Sequence, residues 1–397
     1  MKKTFSIILV LLLTVVTLFS GQQTDIVYAS DDIKLDEVQL PFESKAYLLL
    51  DYNTNTVLTN NNETDKYPVA SIVKLMTTLL AYEAIENGDL DLDQMILASE
   101  HSASMGGSQA FLDANQEYQV EELLKSIIIA SANDSSVLIA EAIAGNEQSF
   151  VKLMNKRAKE LGMNNTLYVN ANGLPDANQY STAMDSAILL KEVMKYDNYF
   201  DHSTTWMTDF VHPLDGRATE LTNTNRLSRF YKGCDAGKTG YTDEAGYCLV
   251  ASAKKSDMRL VAVVLGAQTS KQRFSLIYDL LDIGFANYKN EHIAVKGAEI
   301  DEKIKVRGAK SEQALLTFED DFYYISKRTD DDGFELKFEL PNRVKAPLMQ
   351  NDKVGKAFII KEGKVVGEVN VVSYENVEKQ NYRDIIRKIF TKWGVRK

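Results

Sequence analysis

From His292 to Ser373 the chain alternates apolar and polar residues with a period of two, and before His292 it does not. This change constrains the fold most, because a period of two marks half-buried strands and a period near 3.6 marks helices. Phe334, Leu336, Phe338 and Leu340 point one way and Glu335, Lys337 and Glu339 the other, after an Asp-Asp-Asp-Gly turn at 330–333. Ile359-Ile360, the turn Lys361-Glu362-Gly363-Lys364 and Val365-Val366 predict a hairpin. An all-β domain over 292–373 is therefore expected.

Residues 30–291 mix strand and helix signals and are expected to form a first, larger α/β (α+β) domain. Ala46–Leu50 reads as a strand entering the turn 51–55, with Val57-Leu58 beginning the return. Ser71 to Glu86 reads as a helix, apolar at Leu75, Met76, Leu79, Leu80 and Ile85, with Gly88 just past its end. Val120 to Ala144 and Glu147 to Leu161 give two more helical patterns. The runs 246–251 and 260–265 predict buried strands, and 271–287 a final helix.

The two ends of the chain differ from its body. Lys2 and Lys3 precede an apolar run of 15 residues, Phe5 to Phe19, and Val27-Tyr28-Ala29 offers a cut after Ala29. This is the layout of a secretory leader over 1–29, short of the roughly 20 residues of a spanning helix; an uncleaved anchor is the alternative. No Cys lies near the cut, which excludes a lipoprotein. An extracytoplasmic protein is expected, on the outer face of the membrane.

The net charge is −11, of which residues 379–397 contribute +6 and 1–29 contribute +1, leaving −18 on 30–378. An acidic body excludes a nucleic-acid binder, which needs a basic surface. Beyond a linker from 374, Tyr382, Ile385, Ile386, Ile389, Phe390 and Trp393 fall on one face of a helix and five cations on the rest. A basic amphipathic helix of this kind suits an anionic membrane surface; docking on its own acidic body is the alternative.

The only cysteines are Cys234 and Cys248. One bridge is possible in an oxidising compartment, and two buried thiols on neighbouring strands is the blander reading. The four histidines show no metal-ligand spacing, and no metal or cofactor is implied.

Three short motifs carry chemistry. Ser-x-x-Lys occurs at 71–74, 149–152 and 252–255, and only Ser71 opens a helix, with Lys74 one turn on along the same face. The other two read as surface residues. Ser131-Ala132-Asn133 is the chain's only Ser-x-Asn and interrupts an apolar run; alone it could be a helix N-cap. Lys238-Thr239-Gly240 is also unique and precedes a strand pair. A serine needs a base to become a nucleophile, and a lysine whose amine is neutral can be that base.

In this order the motifs resemble the penicillin-binding and serine β-lactamase superfamily. Tyr67–Ser71, Gly107-Ser108-Gln109, Ala171–Leu174 and Gly237–Tyr247 are similar to the low-molecular-mass D-alanyl-D-alanine carboxypeptidases, as are the β domain and the terminal helix. The resemblance implies a β-lactamase/transpeptidase-like domain, with a five-stranded type of sheet flanked by helices. It implies Ser71 as nucleophile, Lys74 as base, Ser131 as proton relay and Asn133 on the substrate amide. It also implies an oxyanion hole from the N–H groups of Ser71 and Tyr241, with Lys238, Thr239 and Thr242 on a terminal carboxylate. Gly240 would let a peptide approach the strand closely. The partners implied are peptidoglycan stem peptides ending in D-Ala-D-Ala, and β-lactams.

Two departures stand out. Tyr241 follows Lys-Thr-Gly where many relatives have His, and Arg226 lies two residues beyond the usual carboxylate-binding Arg, so no such role is carried onto it. A β-lactamase would need an activating glutamate; Glu160 has the spacing but belongs to a helix end. A DD-endopeptidase and a non-catalytic wall-binding protein are the remaining alternatives, and three intact motifs speak against the latter.

Overall fold

In the computed structural model of the chain, the described residues are 27–28, 40–41, 43–331 and 333–394. The expected leader lies outside them, apart from Val27–Tyr28.

A six-stranded sheet organises the first domain, in the order 27–28, 56–61, 46–51, 258–267, 246–255, 234–242. Four strands are those expected from the sequence; Cys234–Thr242 is a fifth, so Lys238-Thr239-Gly240 lies within a strand instead of ahead of the strand pair. The sixth is the two-residue strand Val27–Tyr28, paired in parallel with Thr56 and Val57. The central strands read as unbroken apolar runs because both faces are covered. Leu260, Ala262 and Val264 pack with Leu276, Ile277, Leu280 and Leu281 of the helix Ser270–Asn287. Val261, Val263 and Leu265 belong to the second core, beneath the helices of residues 74–193. Cys234 and Cys248 are free and buried on adjacent strands, as the blander reading had it.

The pattern expected as one helix over Val120–Ala144 is two, Val120–Ile129 and Asn133–Ala144. Ile127–Ile129 and Val137–Ile139 are all buried, so the apolar periodicity runs on through the break. The break is made by Ser131, whose φ of 65° is left-handed and incompatible with a continuing helix.

The strand Tyr288–Ala294 follows Asn287 directly, so strand structure starts four residues ahead of the change of texture at His292. It pairs with Phe322–Lys327. The other strands beyond Ala294 form a second six-stranded sheet in the order 334–339, 353–361, 364–373, 313–318, 299–307, 343–345. Asn290 Nδ2 reaches both oxygens of the buried Asp51 at 3.1 Å, tying the two domains together. The terminal helix spans Tyr382–Gly394.

Candidate active site

Ala70–Val73 form a single 3₁₀ turn that runs straight into the helix Lys74–Glu86. Three residues per turn stack Lys74 over Ser71, and Lys74 Nζ donates to Ser71 Oγ at 2.9 Å. Lys74 is fully buried and also donates to the carbonyl oxygen of Asn172. Thr77, one turn on, fastens that loop by donating to Ala171 O at 2.6 Å. Gly173 must be glycine: its φ is +84°, and a Cβ there would lie 2.3 Å from Ala70 O.

Ser131 sits in the break between two helices, and its left-handed backbone presents the hydroxyl to Lys238, whose Nζ donates to it at 2.7 Å. Asn133 opens the second helix, donating from Nδ2 to Gly106 O at 2.6 Å and from its backbone to Ser108 O at 2.7 Å. Asn133 Oδ1 is buried with no partner among the described residues, an acceptor open to a ligand N–H. The neighbouring Asp134 carboxylate accepts from the backbone N–H groups of Ala110, Phe111 and Leu112 at 3.0, 2.8 and 3.1 Å. It thereby fixes the loop that holds Asn133.

Lys238, Thr239 and Gly240 lie on Cys234–Thr242, the edge strand of the sheet. Lys238 and Thr239 are both buried, and Thr239 Oγ1 donates to Thr224 Oγ1 at 2.8 Å. Gly240 has a structural reason of its own beside the one expected. A Cβ there would lie 2.5 Å from Val69 O and 3.2 Å from Ser71 N, so its absence lets the strand close on the nucleophile turn. Tyr241 is half exposed and packs on Tyr247 with ring centroids 4.3 Å apart. Its hydroxyl donates to Asp243 at 2.7 Å. Thr242 ends the strand on the same face as Lys238 and Gly240, and its hydroxyl accepts from Ala245 N at 3.0 Å in the turn to the next strand. From Ser270–Asn287, Arg273 donates to the carbonyls of Gly240 and Cys248, both at 3.2 Å.

Burial holds the Lys74 ammonium well below the usual lysine range, and the charge of Lys238 lowers it further. Lys238 is itself pushed down to about 7, by burial and then by Arg273. Two cations in one dry site cannot both keep their protons near neutrality, and Lys74, hydrogen-bonded to Ser71, is the one whose neutral form is favoured.

The structure brings Ser71 to Lys74 and Ser131 to Lys238, with Asn133, Thr239 and Gly240 beside them. Asn172, Asp134 and Thr224 are additions. Asn172 acts through its backbone carbonyl, which no residue-type signal reveals, although it lies in a stretch that carried the resemblance; Asp134 acts through a carboxylate that accepts from distant backbone N–H groups. Ser149 is half-buried near the start of its helix, while Ser252 is fully buried within a strand rather than on the surface. Glu160 ends the helix Glu147–Glu160 and pairs with Lys156 and Arg157. Arg226 is exposed.

A serine bonded to a buried, deprotonating lysine, beside a second serine–lysine pair, defines a serine hydrolase of the acyl-enzyme type. The sequence profile of the D-alanyl-D-alanine carboxypeptidase family matches residues 34–269, and that of the penicillin-binding protein 5 C-terminal domain matches 288–379. The chain belongs to the D-alanyl-D-alanine carboxypeptidase family. It is 38% identical over 356 residues to D-alanyl-D-alanine carboxypeptidase DacF of Bacillus subtilis, covering 89% of this chain and 91% of that one. The structure of penicillin-binding protein 5 from Haemophilus influenzae superposes with a TM-score of 0.71 at 30% identity, over 87% of this chain and 100% of that one. Penicillin-binding protein D2 from Listeria monocytogenes, solved in its ampicillin-bound form, matches with a TM-score of 0.54 at 27% identity, over 63% of this chain and 100% of that one.

Proposed function

We propose that the protein is a serine-type carboxypeptidase that removes the terminal D-Ala from peptidoglycan stem pentapeptides through an acyl-enzyme at Ser71. The observation that carries this reading is the 2.9 Å bond between Ser71 Oγ and the fully buried Lys74 amine. Neutral Lys74 takes the Ser71 proton as Oγ attacks the penultimate D-Ala carbonyl. The N–H groups of Ser71 and Tyr241 stabilise the oxyanion. The proton passes through Ser131 to the departing D-Ala amine, and water then hydrolyses the ester. Asn133 Oδ1 accepts from the substrate amide, while Lys238 and Thr239 receive the terminal carboxylate. A β-lactam acylates Ser71 in the same way, its ring nitrogen standing in for the leaving amine; the ampicillin-bound Listeria relative supports this.

The test is the intact mass of residues 30–397 followed over time with a penicillin, beside Ser71→Ala. One adduct lasting minutes or longer, absent from the variant, is expected, together with D-Ala release from a pentapeptide. Drug hydrolysed with no lasting adduct would mean a β-lactamase; cleavage of cross-linked dimers without D-Ala release would mean an endopeptidase.

The reading extends to location: export through the leader 1–29, then peripheral attachment by residues 379–397. No helix among the described residues is long and apolar enough to cross a membrane. Tyr382, Ile385, Ile386, Ile389 and Phe390 are 37–77% exposed, which favours the membrane over docking on the protein's own body. Truncation after Asn381 should abolish binding to phosphatidylglycerol vesicles in a co-sedimentation assay. Undiminished binding would overturn the anchor.

A further inference from the structure

The second domain carries a patch of one charge. Its strand Glu299–Arg307 is segregated, with Glu299, Asp301 and Glu302 in the first half and Lys303, Lys305 and Arg307 in the second. Inward-facing Ile304 and Val306 are buried, which leaves Lys303, Lys305 and Arg307 together on the outer face. The edge strand Arg343–Lys345 pairs with it in parallel, setting Arg343 beside Lys305 and Lys345 beside Arg307. All five cations are exposed. Among the described residues none of the five side chains makes an ion pair or a hydrogen bond, whereas nearby Lys310 pairs with Glu378.

Like charges set directly opposite each other across strands oppose pairing. Here two such rows stand side by side, unneutralised, on a body that is otherwise strongly acidic. An external anion would relieve them. Position says which one. Glu378 O accepts from Lys310 N, Lys379 bridges to Ala309, and Gln380 N donates to Gly308 O, the residue after Arg307. The amphipathic helix begins two residues further on, at Tyr382. The patch and the helix therefore leave the same corner of the domain.

We propose that Lys303, Lys305, Arg307, Arg343 and Lys345 form a second contact with the anionic lipid headgroups on which the terminal helix lies. The contact fixes the orientation of the β domain on the surface, where the helix alone would only tether it. It rests on the membrane reading of the helix. Its strength should fall with ionic strength, because exposed cations act on headgroups only within a Debye length of roughly 8–10 Å.

The test uses residues 30–397 and vesicles of phosphatidylglycerol with phosphatidylcholine, or of phosphatidylcholine alone. The variant Lys305→Gln/Arg307→Gln/Arg343→Gln/Lys345→Gln keeps the helix, and its folding is checked by an unchanged rate of penicillin adduct formation. Should that variant not fold, Lys305→Gln/Arg343→Gln replaces it. Its affinity for anionic vesicles should fall by roughly tenfold or more with a shallower salt dependence. Glu299→Gln/Asp301→Gln, in the acidic half of the same strand, should show neither loss. Wild-type affinity in the cation variant, with binding abolished by truncation after Asn381, would overturn the patch and leave the anchor standing. No vesicle binding by the intact chain would overturn both. Unchanged vesicle binding with lost binding to a soluble polyphosphate would also overturn the proposal, and would reassign the patch to a wall or soluble polyanion.

Discussion

Lys74→Met should fold, melt higher than the parent chain, and acylate with penicillin roughly 10²–10⁴-fold more slowly, the range general-base catalysis spans. The gain in stability follows from linkage. The folded pKa of Lys74 is depressed, so near neutrality the unfolded chain binds a proton that the folded one releases. Such a group costs stability below its unfolded pKa, and the cost disappears only as pH rises past that value. Methionine removes it while filling similar volume. In the parent chain, acylation should fall as pH drops through the lowered pKa of Lys74, and the carboxypeptidase reaction should also fall above about 7 as Lys238 loses its proton. In Lys238→Gln the alkaline limb should vanish. The acid limb should move to higher pH, since the positive neighbour that lowered Lys74 is gone. A pH–rate profile of adduct formation and D-Ala release reads both limbs, and an unmoved acid limb would show that Lys238 does not act on Lys74.

Gly240→Ala should lose about 10²-fold or more in acylation rate, since a displacement near 1 Å at a reacting group is worth that much. The added Cβ would sit 2.5 Å from Val69 O and 3.2 Å from both Ala70 Cβ and Ser71 N. Backbone lies on both sides, so either the strand or the nucleophile turn must move. Overpacking of this kind costs about 1–3 kcal/mol, to be read by denaturant melts beside adduct kinetics. Gly88→Ala is the control. Its φ of +78° makes it costly too, by about 1–2 kcal/mol, yet nothing lies within 4 Å and it stands at the far end of the helix from Lys74. Acylation there should be unchanged. Equal acylation in Gly240→Ala and the parent would refute the close approach.

Ser71, Lys74, Ser131, Asn133 and Lys238 could be singled out because nucleophiles, bases and cations have residue-type signatures and fixed spacings. The buried strands at 246–255 and 258–267 were legible as unbroken apolar runs, and the second domain through its alternation. What escaped notice has physical causes. No Gly or Pro marks the break at Ser131, and the core on either side keeps the helical period intact. The Asn172 carbonyl that receives Lys74 is backbone, identical in every residue. Ser252 looked like a strand-end surface residue because the lysines after it are polar, yet the strand extends to Lys255. The close approach of Gly240 to the nucleophile turn depends on how the edge strand packs on that turn, which no local residue pattern reveals.

The order of strands has a kinetic consequence. Leu50 pairs with Val261 and Leu48 with Val263, so the sheet is closed by segments more than two hundred residues apart, with most of the helices inserted between. Pairings so distant in sequence form slowly, because the loop must be closed before any contact repays it. Ser71 and Lys74 emerge early in the chain, whereas the strand carrying Lys238 and Gly240 comes more than 160 residues later. The nucleophile therefore stays unarmed while the chain is being made. It gains its second cation and its closing strand only once the whole domain is present and the distant strands have paired.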